Sequence, residues 1–140
     1  MAYRYTTWEP SLETGHAIID KQHKQLIRAV NSLFDAQRSG KGRKEIEQTM
    51  AFLVDYTIEH FADEEEFQVK YGYPDYLQHK KSHEEFKETV RELASKLHQS
   101  GPTVALISNA CLAIGRWVVN HIKTEDLQMA AYIRNKEQSL

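Results

Sequence analysis

The residues of this chain with the clearest chemical potential are its histidines and the acids beside them. His60 and Glu64 stand four residues apart, and His79 and His83 repeat that interval. Residues four apart share one face of an α-helix, so each pair can direct two ligand atoms toward one point. Imidazole nitrogens bind iron, zinc and copper, and carboxylates can complete such a ligand set. The spacing therefore predicts a metal site between helices.

The same residues interrupt apolar stripes, which is costly unless they share a partner. The stripes also carry one histidine near each end of the chain, so that the full set is His23, His60, Glu64, His79, His83 and His121. Burying a polar group without a partner costs roughly 2–7 kcal/mol. A lone histidine on an apolar face is usually a satisfied core residue. Five histidines and a carboxylate together favour a metal ion in the interior.

The last segment should also provide a carboxylate, and spacing leaves two candidates. Glu125 follows His121 by four residues and is the geometric choice on a regular helix. Asp126 follows His121 by five residues, about 140° round an ideal helix. It reaches the same point only at a bridging angle or where the helix is locally unwound. Spacing alone leaves both acids open.

Four segments long enough to position these residues lie between turns rich in glycine and proline. The turns fall at 39–42, 72–74 and 100–102, and the segments near 17–38, 43–70, 75–98 and 103–133. Apolar residues recur at every third or fourth position in each segment, and the alternation of a strand is absent. We therefore predict an all-α fold. It is an up-down-up-down antiparallel four-helix bundle with an N-terminal arm, one domain over residues 1–140.

Composition excludes several classes of protein. The net charge is −2, and the chain has no basic stripe that would suit nucleic acid. No apolar stretch is long enough to span a membrane, and the first five residues lack the apolar core of a signal peptide. Cys111 is the single cysteine, so an intramolecular disulfide is impossible. We expect a cytoplasmic protein that binds neither nucleic acid nor a membrane.

The order of the candidate ligands resembles one protein family. Read along the chain, they give the pattern H…HxxxE…HxxxH…HxxxxD, which begins at His23 and ends at Asp126. With its surroundings, such as Gly72-Tyr73-Pro74, this pattern is similar to the hemerythrin family in its bacteriohemerythrin branch. The resemblance extends from about Trp8 to Tyr132, nearly the whole chain.

The resemblance implies a non-haem diiron centre with an oxo or hydroxo bridge, and it favours Asp126 over Glu125. One iron would be bound by three histidines and the other by two, with two bridging carboxylates. In that order the residues are His79, His83 and His121, then His23 and His60, then Glu64 and Asp126. Two six-coordinate irons held in this way keep one open position, on the iron with two histidines. An open position implies reversible binding of dioxygen.

The resemblance also implies an apolar pocket for dioxygen. Its walls would be Leu26, Phe61, Trp117 and Val119, which lie close to the ligand positions in the sequence. An apolar wall would slow the entry of water and the oxidation of the centre to an inactive diferric form. Ordinary core packing is the alternative explanation for each of these residues.

The function that follows is binding of dioxygen for transport, storage or supply to an oxygen-using enzyme. Ligation rich in imidazole favours binding over oxygen activation, for which related bundles use mostly carboxylates. The alternatives are a diiron enzyme, of the peroxidase, ferroxidase or nitric-oxide-handling kind, and a stand-alone oxygen sensor. Zinc and copper also accept imidazole, so the identity of the metal rests on the family. The oligomeric state stays open, with a monomer favoured.

Several polar residues are expected to have no part in the site. Asp63, Glu65 and Glu66 form an acidic run typical of a solvated helix face. His16 and His98 have no partner at ligand spacing. Cys111 is expected to be a small buried hydrophobic residue without redox chemistry.

Overall fold

The computed structural model of the chain describes residues 8–138, and it consists of helices joined by short turns. A short 3₁₀ turn, Pro10–Leu12, precedes the long helices. The prediction about the first five residues lies outside the described part of the chain. The helices are α1 (Ala17–Arg38), α2 (Arg43–Tyr71), α3 (Tyr76–Ser100), α4 (Val104–His121) and α5 (Leu127–Gln138).

The helices pack as the predicted four-helix bundle, with α4 and α5 forming one continuous rod. Helix α1 packs against α2 and α4, α2 packs against α3, and α3 against α4. Short connections between consecutive helices make neighbours antiparallel. Among residues 8–138 there is no helix that combines the length and the apolar character needed to cross a membrane. The all-α, four-helix prediction is confirmed.

Local chemistry explains where the helices begin and end. His16 caps α1 by accepting a hydrogen bond from the backbone N–H of Ile19 through its side chain. The side chain of Thr103 caps α4 in the same way, at the N–H of Leu106. Helix α2 ends at Tyr71, and the backbone of the next residue, Gly72, is left-handed at φ 65° and ψ 42°. That conformation turns the chain toward α3 and is one that glycine adopts without strain.

The fourth rod differs from the regular helix that periodicity predicts over 103–133. Residues Ile122–Asp126 form one π-helical turn, and the N–H of Leu127 bonds to the carbonyl of Ile122, five residues earlier. A π turn inserts one extra residue and so changes which side chains face the interior. Asp126 is buried beside His121 as a result. Apolar periodicity therefore predicts the long helix but not the single residue that the π turn inserts.

Two apolar clusters fill the bundle, with the polar residues of the predicted site between them. The larger cluster includes Leu33, Leu53 and Phe86 from the first three helices. The smaller one gathers Ile19, Tyr73, Met129, Ala130 and Ile133 near the start of α1 and the last helix. On α1, for example, His23 lies between Ile19 of the smaller cluster and Leu26 of the larger one. The site is therefore enclosed by apolar packing along the bundle axis.

We expect Gly72→Ala to destabilise the protein by about 1 kcal/mol, because alanine is strained in the left-handed conformation. Apart from the adjoining residues of the chain, no atom lies within 4 Å of the position that a Cβ would take, so the cost should come from backbone strain. Urea unfolding followed by circular dichroism measures the change. The control is Gly72→Asn, which tolerates this conformation better and should cost less. Equal stability of Gly72→Ala and the wild type would show that the turn is not held in this conformation.

Candidate metal centre

Seven polar side chains converge in the middle of the bundle. Helix α1 provides one, α2 and α3 two each, α4 one and the π turn one. All seven are buried, with exposed fractions between 0% and 3%; they are His23, His60, Glu64, His79, His83, His121 and Asp126. They form two overlapping groups whose ligand atoms lie within 4.8 Å of one another. Glu64 belongs to both groups, so the geometry is that of two adjoining sites.

The first group, called here the three-histidine group, joins α3 to the end of α4. The Nε2 atom of His121 lies 2.9 Å from Nε2 of His79 and 3.2 Å from Nε2 of His83. Their four-residue spacing on α3 places His79 and His83 on one face. All three rings thus direct the same nitrogen at one point.

The second group, the two-histidine group, joins α1 to α2. The rings of His23 and His60 meet edge to face, with centroids 4.9 Å apart. The Nε2 atoms of His23 and His60 lie 3.0 and 3.1 Å from the same oxygen, Oε2 of Glu64. This group has two imidazoles where the other has three.

Both carboxylates face the two groups at once. Oε2 of Glu64 faces the two-histidine group, and its Oε1 lies 3.2 Å from Nε2 of His83. Asp126 repeats the arrangement: Oδ2 lies 3.0 Å from Nε2 of His23, and Oδ1 lies 2.8 Å from Nε2 of His79. Each carboxylate therefore presents one oxygen to each group, as a ligand that bridges two ions does.

The hydrogen-bonding state of these atoms fits a pair of cations. Oε1 of Glu64 and Oδ1 of Asp126 are buried and have no donor in hydrogen-bond geometry. The three Nε2 atoms of the three-histidine group face one another, and a neutral imidazole nitrogen of this kind can accept but not donate. Buried polar atoms without partners are rare in native proteins. A cation between them satisfies nitrogens and oxygens together, so the donor set fits a metal centre.

In the absence of metal, the electrostatics of the cluster favour charged acids and protonated forms of His23 and His121. Burial disfavours the charged form of His23, but hydrogen bonds with Asp126 and Glu64 outweigh it and raise the pKa of His23 to about 9. Burial likewise opposes the charge on His121, and the attraction of Asp126 raises the pKa of His121 to about 10. Burial alone would raise the pKa values of both acids, yet the surrounding imidazoles lower them well below their usual values.

The two acids that spacing left open after His121 have different positions. The π turn brings Asp126 into the cluster, where Oδ1 lies 3.1 Å from Nε2 of His121. Glu125 lies on the outer side of the same ring, with Oε2 2.7 Å from Nδ1 of His121. Asp126 thus faces Nε2 of His121, whereas Glu125 faces Nδ1 of the same ring.

Four of the five histidines have an outer partner, which is the residue that contacts the Nδ1 atom turned away from the cluster. Nδ1 of His60 lies 2.8 Å from the amide oxygen of Gln22, and Nδ1 of His83 lies 3.0 Å from Glu65. His79 contacts the amide of Gln68 at 3.1 Å and His121 contacts Glu125. Nδ1 of His23 is buried without a partner.

Sequence reasoning missed these outer partners. The expectation that Asp63 and Glu65 belong to a solvated face is wrong, since Asp63 accepts a hydrogen bond from Gln22 at 2.7 Å and Glu65 contacts His83. Only Glu66 of that acidic run is exposed. A usable signal was their position beside the ligands, because a ligand histidine generally needs a partner for its second nitrogen.

The apolar residues expected near the site differ in how closely they contact it. The ring of Phe61 stacks on His83 with centroids 3.8 Å apart, and Trp117 stacks on His121 at 4.3 Å. Leu26 is buried, one turn of α1 beyond His23. Val119 is half-buried at the edge of the larger apolar cluster. A role for these four residues in holding dioxygen stays a prediction.

The two remaining histidines lie outside the cluster. His16 caps α1, and its Nε2 lies 3.1 Å from Oε1 of Glu137. The side chain of His98 is 80% exposed, 3.4 Å from Glu47. Cys111 is buried in the apolar core, and burial raises the pKa of its thiol to about 12. A thiol in that state is unreactive at neutral pH.

Comparison with known proteins gives one consistent result. The model of the family described as the hemerythrin HHE cation binding domain matches residues 14–133. The bacteriohemerythrin of Pseudomonas aeruginosa is 36% identical over 136 residues, which cover 97% of this chain and 86% of that protein. The myohemerythrin of Sipunculus nudus is 31% identical over 121 residues, 86% of this chain and 88% of that protein. A crystal structure of wild-type hemerythrin matches with a TM-score of 0.82 at 30% identity, covering 91% of this chain and 97% of that one.

We expect the protein without metal to be most stable between about pH 4.5 and 6.5. A raised histidine pKa stabilises the fold fully below the unfolded value of 6.5, and that contribution is lost as the pH rises through about 9 for His23 and about 10 for His121. The lowered pKa values of Glu64 and Asp126 stabilise the fold above the unfolded values of 4.5 and 3.8, and this is lost in acid. Between pH 6.5 and its raised pKa, each of these two histidines lowers the free energy of unfolding by about 1.4 kcal/mol per pH unit.

Urea unfolding in the presence of a chelator, at pH 6 and pH 9, measures this difference. The metal-loaded protein is the control and should not lose stability in this way, because metal binding requires neutral imidazoles and strengthens as the pH rises. Greater stability of the metal-free protein at pH 9 than at pH 6 would contradict the buried ion pairs.

Proposed function

Because the chain belongs to the hemerythrin family, we propose that it binds dioxygen reversibly at a diiron centre. The residues that would hold the two irons are His23, His60, Glu64, His79, His83, His121 and Asp126. Reversible binding serves transport, storage or supply to an oxygen-using enzyme. The cytoplasm stays the predicted compartment.

The observation that supports this proposal most strongly is the orientation of the two carboxylates. Glu64 and Asp126 each turn one oxygen to the three-histidine group and one to the two-histidine group. A site for a single ion has no need of acids that face two ways. Imidazole nitrogens and carboxylate oxygens are also suitable ligands for iron.

The two groups differ by one donor atom, and this difference accounts for binding of a gas. The three-histidine group offers three imidazole nitrogens and two carboxylate oxygens. The two-histidine group offers two nitrogens and two oxygens. With a shared oxygen bridge, six ligands would surround the first iron and five the second. We therefore assign the open position to the side of His23 and His60.

When bound, the diiron centre would supply an open coordination position and the electrons with which dioxygen is held. The protein residues keep this chemistry reversible by position and by exclusion of water. The five imidazoles would present Nε2 to the ions. Contacts with the outer partners hold four of the five rings in place. Leu26 and Phe61 are buried beside the two groups and keep water away. The proposed pocket wall comprises these two residues with Trp117 and Val119.

Anaerobic loading with Fe²⁺ followed by cycles of oxygen and vacuum tests the function. We expect about two irons per chain and a visible charge-transfer spectrum that appears with oxygen and disappears under vacuum through repeated cycles. Steady consumption of hydrogen peroxide would instead support the diiron enzyme. Irreversible bleaching in the first cycle, or a chain that binds no iron, would contradict reversible binding.

Two variants on α3 serve as matched controls for the iron count. His83→Ala removes a buried donor from the three-histidine group and should lower the iron content below two per chain. His98→Ala removes an exposed histidine from the same helix and should leave both iron content and spectrum unchanged. Equal iron content in the two variants would show that the cluster does not hold the metal.

We expect Leu26→Ala to shorten the life of the oxygenated protein severalfold, because it opens the wall beside His23 to water. The decay of the oxygenated spectrum in air measures this lifetime. The control is Leu33→Ala, a fully buried leucine two turns further along α1. Both substitutions should cost about 2–5 kcal/mol of stability, but only the first should change the decay. Equal decay rates would place the pocket elsewhere.

A further inference from the structure

The outer partners of the histidines are distributed unequally between the two groups. In the three-histidine group, His83 and His121 each direct Nδ1 at a carboxylate, Glu65 and Glu125, at 3.0 and 2.7 Å. In the two-histidine group, His60 faces the neutral amide of Gln22. His23 has no outer partner at all. Both negative charges in direct contact with the outer nitrogens are therefore on one side of the site.

Glu125 is held in place by more than its histidine. Its Oε1 accepts a hydrogen bond from the hydroxyl of Ser82 at 3.1 Å, while Oε2 faces His121. Ser82 lies on α3, between His79 and His83, so the carboxylate connects the π turn to the helix that supplies the other two histidines. The side chain is 30% exposed, which keeps part of its charge solvated without releasing the ring.

The effect of such a partner on an imidazole is well defined. An Nδ1–H that donates to a carboxylate leaves Nε2 as the lone-pair nitrogen, so the ring has the tautomer that binds metal. The negative charge also makes Nε2 a stronger electron donor. A neutral amide fixes the tautomer in the same way but adds less donor strength, since hydrogen bonds to charged groups are stronger.

We propose that Glu125 is a positioning residue that, together with Glu65, makes the three-histidine group the side of the centre that holds ferric iron more strongly. The inference deepens the proposed function and rests on it. Stronger donors favour the more highly charged ion, so the side without the open position would stabilise ferric iron more strongly. Iron on the two-histidine side, where dioxygen would bind, stays easier to return to the ferrous state.

Three variants separate the charge of Glu125 from its role as an acceptor. Glu125→Gln keeps an acceptor oxygen and removes the charge, whereas Glu125→Leu removes both. Glu66→Gln removes one negative charge from an exposed position on α2 and is the matched control. Circular dichroism establishes that each variant is folded. If Glu125→Leu does not fold, the isosteric Glu125→Gln decides the question.

The first readout is iron retention and midpoint potential in the iron-loaded protein. We expect Glu125→Leu to lose Fe²⁺ to a competing chelator about 10–100-fold faster than the wild type, with Glu125→Gln between them. Glu125→Gln should also weaken the preference for ferric over ferrous iron by about tenfold, or about 59 mV toward positive potential for one electron. Glu66→Gln should change neither quantity. Identical retention and potential in all four proteins would overturn the proposal.

The second readout is the ring of His121 in the zinc-loaded protein, because zinc is diamagnetic and accepts imidazole. We expect the Nδ1 proton of His121 in the ¹H,¹⁵N spectrum to resonate far downfield in the wild type, less so in Glu125→Gln, and to exchange with water in Glu125→Leu. A resonance that is unchanged in both variants would contradict the contact.

If the wild type bound no iron, the proposed function would fail as well. If the wild type bound two irons and the variants matched it, only this inference would fail.

Discussion

Burial of seven polar side chains in one place is the constraint on which the rest of this structure depends. Five imidazoles and two carboxylates lie in the bundle interior, and two carboxylate oxygens there have no hydrogen-bond donor. Such a cluster is stable only with charges that balance: protons on histidines when no metal is present, or cations between the ligands. The apolar packing on both sides of the cluster excludes water. Water therefore cannot take the place of the protons or of the cations.

Much of this arrangement could be predicted from the sequence, because helical spacing converts directly into faces. The four-residue intervals at His60 and His79 place ligand pairs on single helix faces, and the four-helix fold and the hemerythrin family are confirmed. The choice between Glu125 and Asp126 could not be made from spacing, since it depends on one π turn. An inserted residue shifts the apolar pattern by only one position, and spacings that already alternate between three and four residues do not distinguish such a shift from a regular helix.

The outer partners of the histidines could not be predicted from the sequence, for a different reason. Glu65 and Glu125 are charged and partly exposed, and such residues usually belong to a solvated surface. Periodicity identifies what is buried, whereas these side chains lie at the boundary and bond inward. In the function proposed above, the seven ligands would determine which chemistry is available, and the outer partners would adjust how strongly each side holds its iron.

A crystal structure of the protein loaded with iron under anaerobic conditions would show whether the buried cluster holds a diiron centre. We expect two iron ions, both bridged by Glu64 and Asp126, with three histidines on one and two on the other. The sixth position of the second ion should face the apolar residues of the bundle and carry no protein atom. One iron only would contradict a diiron centre, and a protein side chain in the sixth position would contradict an open position for dioxygen.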